Sequence, residues 1–350
     1  MNDPGFASGP LLASGEAPGR VNLLGEHTDY SGGYALPTAI PQTTRVEFRS
    51  SPDRRFHVYS ANFDRTIAFS STTELPRDFA RYIFGCVEML RETGVDVPPV
   101  AMRIQSTVPI GAGLSSSAAL EVAVLRGFRA LLNIDMDDIQ LAKLARRAEA
   151  EYAGVNCGVL DQMATSLCDS EHMLFIDTRT LDTEILPLPD GASVIVVDSN
   201  TPRALETTAY GLRRVECSEA ATLLGVRELR DIDDPDSAAA LPCPLNRRAR
   251  HVISENNRVL EARSASPARF GALMNASHDS LRRDYDVSIP ALDCLAECLR
   301  RQPGVFGARL TGAGFGGACV ALVERDAATT AIAGALSDFT AAGYRGKALV

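Results

Sequence analysis

The sequence holds no uninterrupted apolar run of about 18 residues, so no membrane-spanning helix is expected. Its N-terminal stretch lacks a basic segment followed by an apolar core of signal-peptide length, and a cytoplasmic location is the expectation. The eight cysteines are scattered, without a C-x-x-C pair or a close Cys/His cluster, which argues against a disulfide framework and a zinc site. Basic charge is in deficit. The 44 acidic against 35 basic residues give a net charge of -9, which argues against a general nucleic-acid or anionic-membrane surface. An anionic ligand must therefore meet a local positive site. No internal repeat is apparent, and the Walker A pattern Gly-x-x-x-x-Gly-Lys-Ser/Thr does not occur.

What is present describes an ordinary globular chain, 45% hydrophobic and 23% charged. At 350 residues it exceeds one core, and two domains are expected, 1–188 and 189–350. Val100–Ser106 alternates as a strand, Pro109–Gly113 breaks it, and Ser115–Leu132 reads as a helix apolar almost all round. A second helix is expected over Asp138–Tyr152, with Asp135 as its cap and Gly154 as its stop. Short β runs follow at Leu174–Ile176, Glu184–Leu186 and Val194–Asp198, and Asp231–Pro244 reads as a surface loop. The tail reads as strand (Gly304–Thr311), glycine loop (Gly312–Gly317) and strand (Ala318–Val323), so both halves are α+β.

Four stretches carry chemistry. Gly111, Ala112, Gly113, Leu114, Ser115, Ser116 and Ser117 lead into a helix, where glycine amides, the helix N-terminus and hydroxyls suit a phosphate; a Ser-capped buried helix fits the same letters. Gly312–Gly317 matches G-x-G-x-x-G, but a β-like run follows where the dinucleotide fingerprint needs a helix. Gly25–Tyr30 packs Glu26, His27 and Asp29 with a hydroxyl and a phenol, a density suited to a polyhydroxylated ligand or to a solvated loop. In Gly154–Met163, Asp161 sits among apolar neighbours and could serve as a base or cap the following helix.

The run Gly19–Tyr30 (GRVNLLGEHTDY) resembles the signature of galactokinases, within the superfamily of galactokinase, homoserine, mevalonate and phosphomevalonate kinases. Gly113–Ala119 resembles that superfamily's phosphate loop, and Leu310–Gly317 its third glycine motif. The resemblance implies a two-domain α+β small-molecule kinase fold, with a ribosomal protein S5 domain 2-like N-terminal domain, a ferredoxin-like C-terminal domain and the active site in the cleft. It implies a cytoplasmic, monomeric enzyme that uses ATP and magnesium to phosphorylate D-galactose at its anomeric hydroxyl, in galactose catabolism. Position by position, Glu26, His27 and Asp29 would bind sugar hydroxyls, with Tyr210 lining the pocket. Gly111–Ser117 would hold the triphosphate, Ser117 and Glu149 the magnesium, and Asp161 would be the catalytic carboxylate with Arg20 opposite it. Gly211 stands where the family usually has asparagine after the pocket tyrosine. The competing readings are a superfamily kinase for another sugar or a non-sugar alcohol, a catalytically dead sugar sensor, and an NAD-dependent oxidoreductase resting on the Gly312–Gly317 match, which the β-like run after it disfavours.

Overall fold

The computed structural model describes residues 10–70, 75–155, 157–202 and 206–350, without the side chains of 206–208. Asn156, within Gly154–Met163, and the side chain of Thr208, two residues before Tyr210, lie outside the described residues. The contacts divide the chain into two units. The first takes the stretch up to Arg20, Ile40–Pro109 and Ser115–Leu167; the second takes Val21–Ala39, Ile110–Leu114 and Cys168–Val350.

In the first unit, β1 (Ala13–Leu24) and β2 (Tyr34–Ser50) carry the chain in and out, followed by β3 (Phe56–Ser60) and β4 (Arg65–Phe69). Helix α1 (Ala80–Glu92), β5 (Val100–Ser106), α2 (Ser116–Leu132), α3 (Asp138–Ala148) and α4 (Leu160–Leu167) complete it. The sheet runs β4-β3-β5-β2, with β3 and β5 parallel and the other pairs antiparallel. Helix α1 buries Ile83, Phe84, Val87 and Leu90, one face of a 3.6-residue period, in a core shared with Phe48, Phe56 and Phe128. Gly127 of α2 lies so close to Phe48 that a Cβ would sit 2.0 Å from the ring, so this helix can approach the sheet only with glycine there. The cap of α3 is Asp137 rather than Asp135. Its carboxylate accepts from the Gln140 amide at 2.7 Å while Gln140 answers the Asp137 amide at 3.0 Å. The expected single helix to Tyr152 instead loosens into a π-helical turn at Glu149–Ala153, and Gly154 (φ 77°) ends it as expected.

The second unit adds β6 (His172–Asp177), β7 (Thr183–Pro187), β8 (Ala192–Asp198), α5 (Glu206–Leu223), α6 (Leu245–Ala262), α7 (Pro267–Arg283) and α8 (Pro290–Arg300). It closes with β9 (Val305–Leu310), β10 (Ala318–Glu324), α9 (Ala328–Ala341) and β11 (Lys347–Ala348). The order β11-β8-β10-β9, antiparallel throughout, is that of a ferredoxin-like βαββαβ unit with extra helices after its first strand. Tyr285, Leu292, Leu295, Leu310, Val323 and Phe339 are in its core. Asp231–Pro244 is less irregular than expected, with 3₁₀ turns at Leu229–Asp231 and Pro235–Ala240.

The division departs from the expected boundary near Leu188. The hairpin β6–β7 belongs with the second unit because β6 pairs with Tyr34 and Ala35 and because Thr38 Oγ1 donates to the His172 carbonyl at 2.8 Å. Those partners lie more than a hundred residues upstream, where local pattern carries no information about them. No helix among the described residues is long and apolar enough to cross a membrane.

Candidate active site

The glycine loop before α2 takes left-handed backbone at Gly111 (φ 80°), Gly113 (φ 83°) and Ser115 (φ 56°). Ser115 occupies the cap position of α2, yet its side chain makes no cap hydrogen bond, and its buried hydroxyl has no partner among the described residues. The Ser-cap alternative is therefore not what the residues adopt. The first turn of α2 keeps its amides uncapped by Ser115, next to a turn of alternating hand. That arrangement suits an anion.

Ser117, in the first turn of α2, lies close enough to Glu149, the residue that opens the π-helical turn, for its hydroxyl to favour the charged carboxylate. Glu149 Oε2 accepts from Gln162 Nε2 at 2.6 Å and Cys157 Sγ at 3.2 Å. Burial raises the Glu149 carboxyl above the usual range; the nearby Ser117 hydroxyl opposes this and the charge of Asp161 adds to it. Behind it Glu121 is fully buried, and burial and the charge of Glu149 push its carboxyl well above the usual carboxylate range. A hydroxyl oxygen beside a desolvated carboxylate fits a small hard cation that completes its shell with phosphate and water oxygens.

Arg20, near the end of the first unit's share of β1, is buried and faces Asp161 in the first turn of α4. Its Nε donates to Asp161 Oδ1 at 2.9 Å, and its NH2 donates to the same oxygen. Asp161 Oδ2 has no partner among the described residues, and the side chain is 32% exposed, enough to meet a ligand. The carboxylate faces an arginine across 141 residues, so capping of its own helix does not account for it. The first unit thus brings together Arg20 with Asp161 and Ser117 with Glu149.

In the second unit, Gly25 (φ 91°) turns the chain out of β1, where a Cβ would lie 2.3 Å from the Tyr34 carbonyl. Thr28 Oγ1 staples the turn to the carbonyls of Gly25 (2.9 Å) and Tyr34 (2.8 Å). Glu26 is almost wholly buried. Its Oε2 accepts from Asn22 Nδ2 (2.8 Å) and Arg309 NH2 (3.0 Å), and its Oε1 from the Gly312 amide. His27, itself left-handed (φ 61°), has Nδ1 at 2.9 Å from the Tyr30 hydroxyl and Nε2 at 3.1 Å from the Ala313 carbonyl. Burial, then the charges of His251, Arg213 and Arg309, push His27 down to about 3. Asp29 starts a 3₁₀ turn and is half-buried, and its Oδ1 accepts from the Tyr30 amide at 3.1 Å. The Tyr210 ring lies 5.4 Å from those of both His27 and Tyr30.

Glu26 and His27 thus tie the first motif to the glycine loop Gly312–Gly317, the hairpin turn between β9 and β10. Gly314 (φ 81°) and Gly316 (φ 138°) give that loop a backbone no other residue adopts easily, and β10 follows it, so it is no dinucleotide fingerprint.

Several contributors escape a reading by motif. Arg309 is fully buried, and its NH1 donates to the Leu23 carbonyl at 3.1 Å. Glu255 of α6 accepts from the Gly25 amide (2.9 Å), Ser277 (2.8 Å) and Arg258 Nε (2.6 Å). His251 meets the Glu26 carbonyl at 3.1 Å, and Asn256 accepts from the Tyr34 amide at 3.0 Å. The available signals were a lone arginine in an apolar strand and a polar i, i+4, i+5 set on one face of a helix.

Residues 7–50 match the galactokinase galactose-binding signature, 81–168 the GHMP kinases N terminal domain, and 260–341 the GHMP kinases C terminal. A galactokinase of Roseiflexus sp. (strain RS-1) is 45% identical over 90% of this chain and 84% of the relative. One of Haemophilus influenzae is 40% identical over 89% and 85%. The crystal structure of Lactococcus lactis galactokinase complexed with galactose superposes with a TM-score of 0.90 at 33% identity, over 96% of this chain and 92% of that one. The Methanococcus jannaschii mevalonate kinase shares the fold, with a TM-score of 0.70 at 18% identity. With such identity to galactokinases over nine-tenths of its length, the chain belongs to the galactokinase family of the GHMP kinases.

Proposed function

We propose that this chain transfers the γ-phosphate of ATP to the anomeric hydroxyl of D-galactose, giving α-D-galactose 1-phosphate and ADP, as a cytoplasmic monomer. The observation that carries the reading is the Arg20–Asp161 pair, intact and partly open in a chain with the galactose-binding signature. A sensor without catalysis would have no use for it.

Phosphoryl transfer asks the protein for position and charge more than for covalent work. The uncapped turn Gly111–Ser117 offers amides to the triphosphate. Ser117 and Glu149 would hold a magnesium ion, which supplies charge neutralisation on the β- and γ-phosphates. Asp161 Oδ2 receives or orients the hydroxyl proton while Arg20 holds Oδ1, so the carboxylate presents one oxygen in a fixed direction. Arg20 also answers charge developing on the phosphoryl group. On the sugar side, Asp29 and the Tyr210 ring form the contact surface. Glu26 and His27 border it with their polar atoms already engaged by protein groups.

The test is ADP release, coupled to a spectrophotometric readout, over a panel of monosaccharides with magnesium and ATP. Turnover of D-galactose far above that of D-glucose is expected, because a site built of hydrogen-bonding groups rejects the wrong epimer by leaving partners unpaired. Equal turnover of the two epimers, or turnover confined to another substrate, would refute the assignment.

A further inference from the structure

Behind His27 runs a file of polar side chains, from Tyr30 of the first motif to Tyr285 and Cys217, which no motif identifies. Tyr30 Oη lies 2.9 Å from His27 Nδ1 and 2.6 Å from Tyr285 Oη, which in turn lies 3.1 Å from Cys217 Sγ. Tyr285 and Cys217 are buried, from the loop after α7 and from α5. The direction of every hydrogen in this file follows from one end. The Ala313 carbonyl can only accept, so His27 Nε2 must carry hydrogen. His27 is neutral, which leaves Nδ1 an acceptor, and Tyr30 must donate to it. The Tyr30 hydrogen being spent there, Tyr285 donates to Tyr30 and the Cys217 thiol donates to Tyr285. Burial holds both phenols and the thiol well above their usual ranges, so each keeps the hydrogen the file requires.

We propose that Tyr285 and Cys217 are positioning residues for sugar binding: their hydrogens fix the direction of Tyr30 and so the Nε2–H form of His27 that tethers the Ala313 loop beside Tyr210. The rings share this task, since Tyr285 lies 4.9 Å from His27, and His27 5.4 Å from Tyr210. The inference rests on the reading that the Glu26–Tyr30 segment and Tyr210 face the sugar.

Two measurements test it. In long-range ¹⁵N–¹H spectra of histidine-labelled wild-type protein, His27 should be neutral and protonated at Nε2 at pH 7; protonation at Nδ1 overturns the hydrogen directions whatever the activity. In steady-state kinetics, Tyr285→Phe keeps the ring and removes the hydroxyl. It should raise the galactose KM roughly tenfold, the size of one buried hydrogen bond left unmade, with the ATP KM within about twofold of wild type. Cys217→Ala should raise the galactose KM about threefold, and Cys217→Ser, which keeps a donor, should restore it. An unchanged galactose KM in folded Tyr285→Phe, or a Cys217→Ser variant no better than Cys217→Ala, refutes the proposal. A wild-type enzyme inactive on galactose would refute the sugar reading instead, a result distinct from either.

Discussion

Replacing Arg309 by methionine should damage the sugar side of the molecule more than any surface change. Arg309 is fully buried in β9 and, with Asn22 and the Gly312 amide, holds the carboxylate of Glu26, which is only 5% exposed. Methionine fills similar space without charge or donors. Three partners then lose a donor: Glu26 Oε2 at 3.0 Å and the carbonyls of Leu23 and Asn22 at 3.1 and 3.4 Å. Breaking a buried ion pair from one side typically costs about 3–5 kcal/mol, because the remaining charge stays desolvated. Adding Glu26→Gln removes that charge. The Asn22 carboxamide, whose Oδ1 has no partner among the described residues, can turn to accept from the new amide. The double variant should therefore lie within about 2 kcal/mol of wild type, well short of the sum of the single losses. Urea unfolding followed by circular dichroism on wild type, both single variants and the double gives the cycle directly. A loss below about 1 kcal/mol for Arg309→Met, or a double variant as weak as the sum, would refute the account of Glu26 as a buried, paired anion.

Asp161→Asn keeps size and shape, so the variant should fold and bind both substrates while kcat falls roughly 100-fold or more; near-normal kcat in a folded variant removes Asp161 from the chemistry. Asp29→Ala should raise the galactose KM first, by an amount matching a charged hydrogen bond of about 1.5–3 kcal/mol, and an effect confined to kcat would contradict that role. Glu149→Ala should shift the magnesium-ATP dependence more than the galactose KM, and a shift in the galactose KM alone would place Glu149 on the wrong substrate. Glu255 gives a pH signature. Burial raises its pKa, but Arg258, Arg309 and His251 outweigh this and hold it at about 2, below its ordinary value of 4.5. Its contribution to stability is thus complete above about pH 4.5 and lost as pH falls toward 2, so Glu255→Gln should flatten that part of the acid-unfolding curve. An unaltered curve would show that the carboxylate is not paired as described.

Local signals were legible in the sequence. The strand Val100–Ser106, the glycine break and the apolar helix α2 lie where their patterns place them, and Gly154 ends its helix. The chemistry-bearing letters, from Arg20 to Asp161 and from Glu26 to Tyr210, could be named because motifs are contiguous strings. What the strings could not show is which partner each letter takes. Glu26 reads as a ligand for a sugar, and the string gives no sign that its carboxylate also accepts from Arg309, Asn22 and the Gly312 amide, contacts reaching across up to 286 residues. Ser115 reads as a helix cap, yet its left-handed backbone leaves its hydroxyl unable to serve as one. The contact division differs from the boundary near Leu188 for the same reason: strand pairing, invisible to local periodicity, groups Val21–Ala39 with elements made much later.

That attachment has a consequence for biosynthesis. Gly25, Glu26 and Tyr34 emerge early from a ribosome, but the groups that satisfy their polar atoms, at Glu255, Asn256, Arg309 and Gly312, follow only after another 220 residues or more. The nascent signature segment therefore spends most of translation without its native bonds, and the sugar-side loop closes near the end of synthesis. Ribosome-bound chains stalled before residue 300 should leave this segment cleavable by protease, whereas stalling beyond the tunnel's length past Gly312 should protect it. Contacts of such sequence separation make the last-formed part of the fold the part that carries the galactose-binding signature.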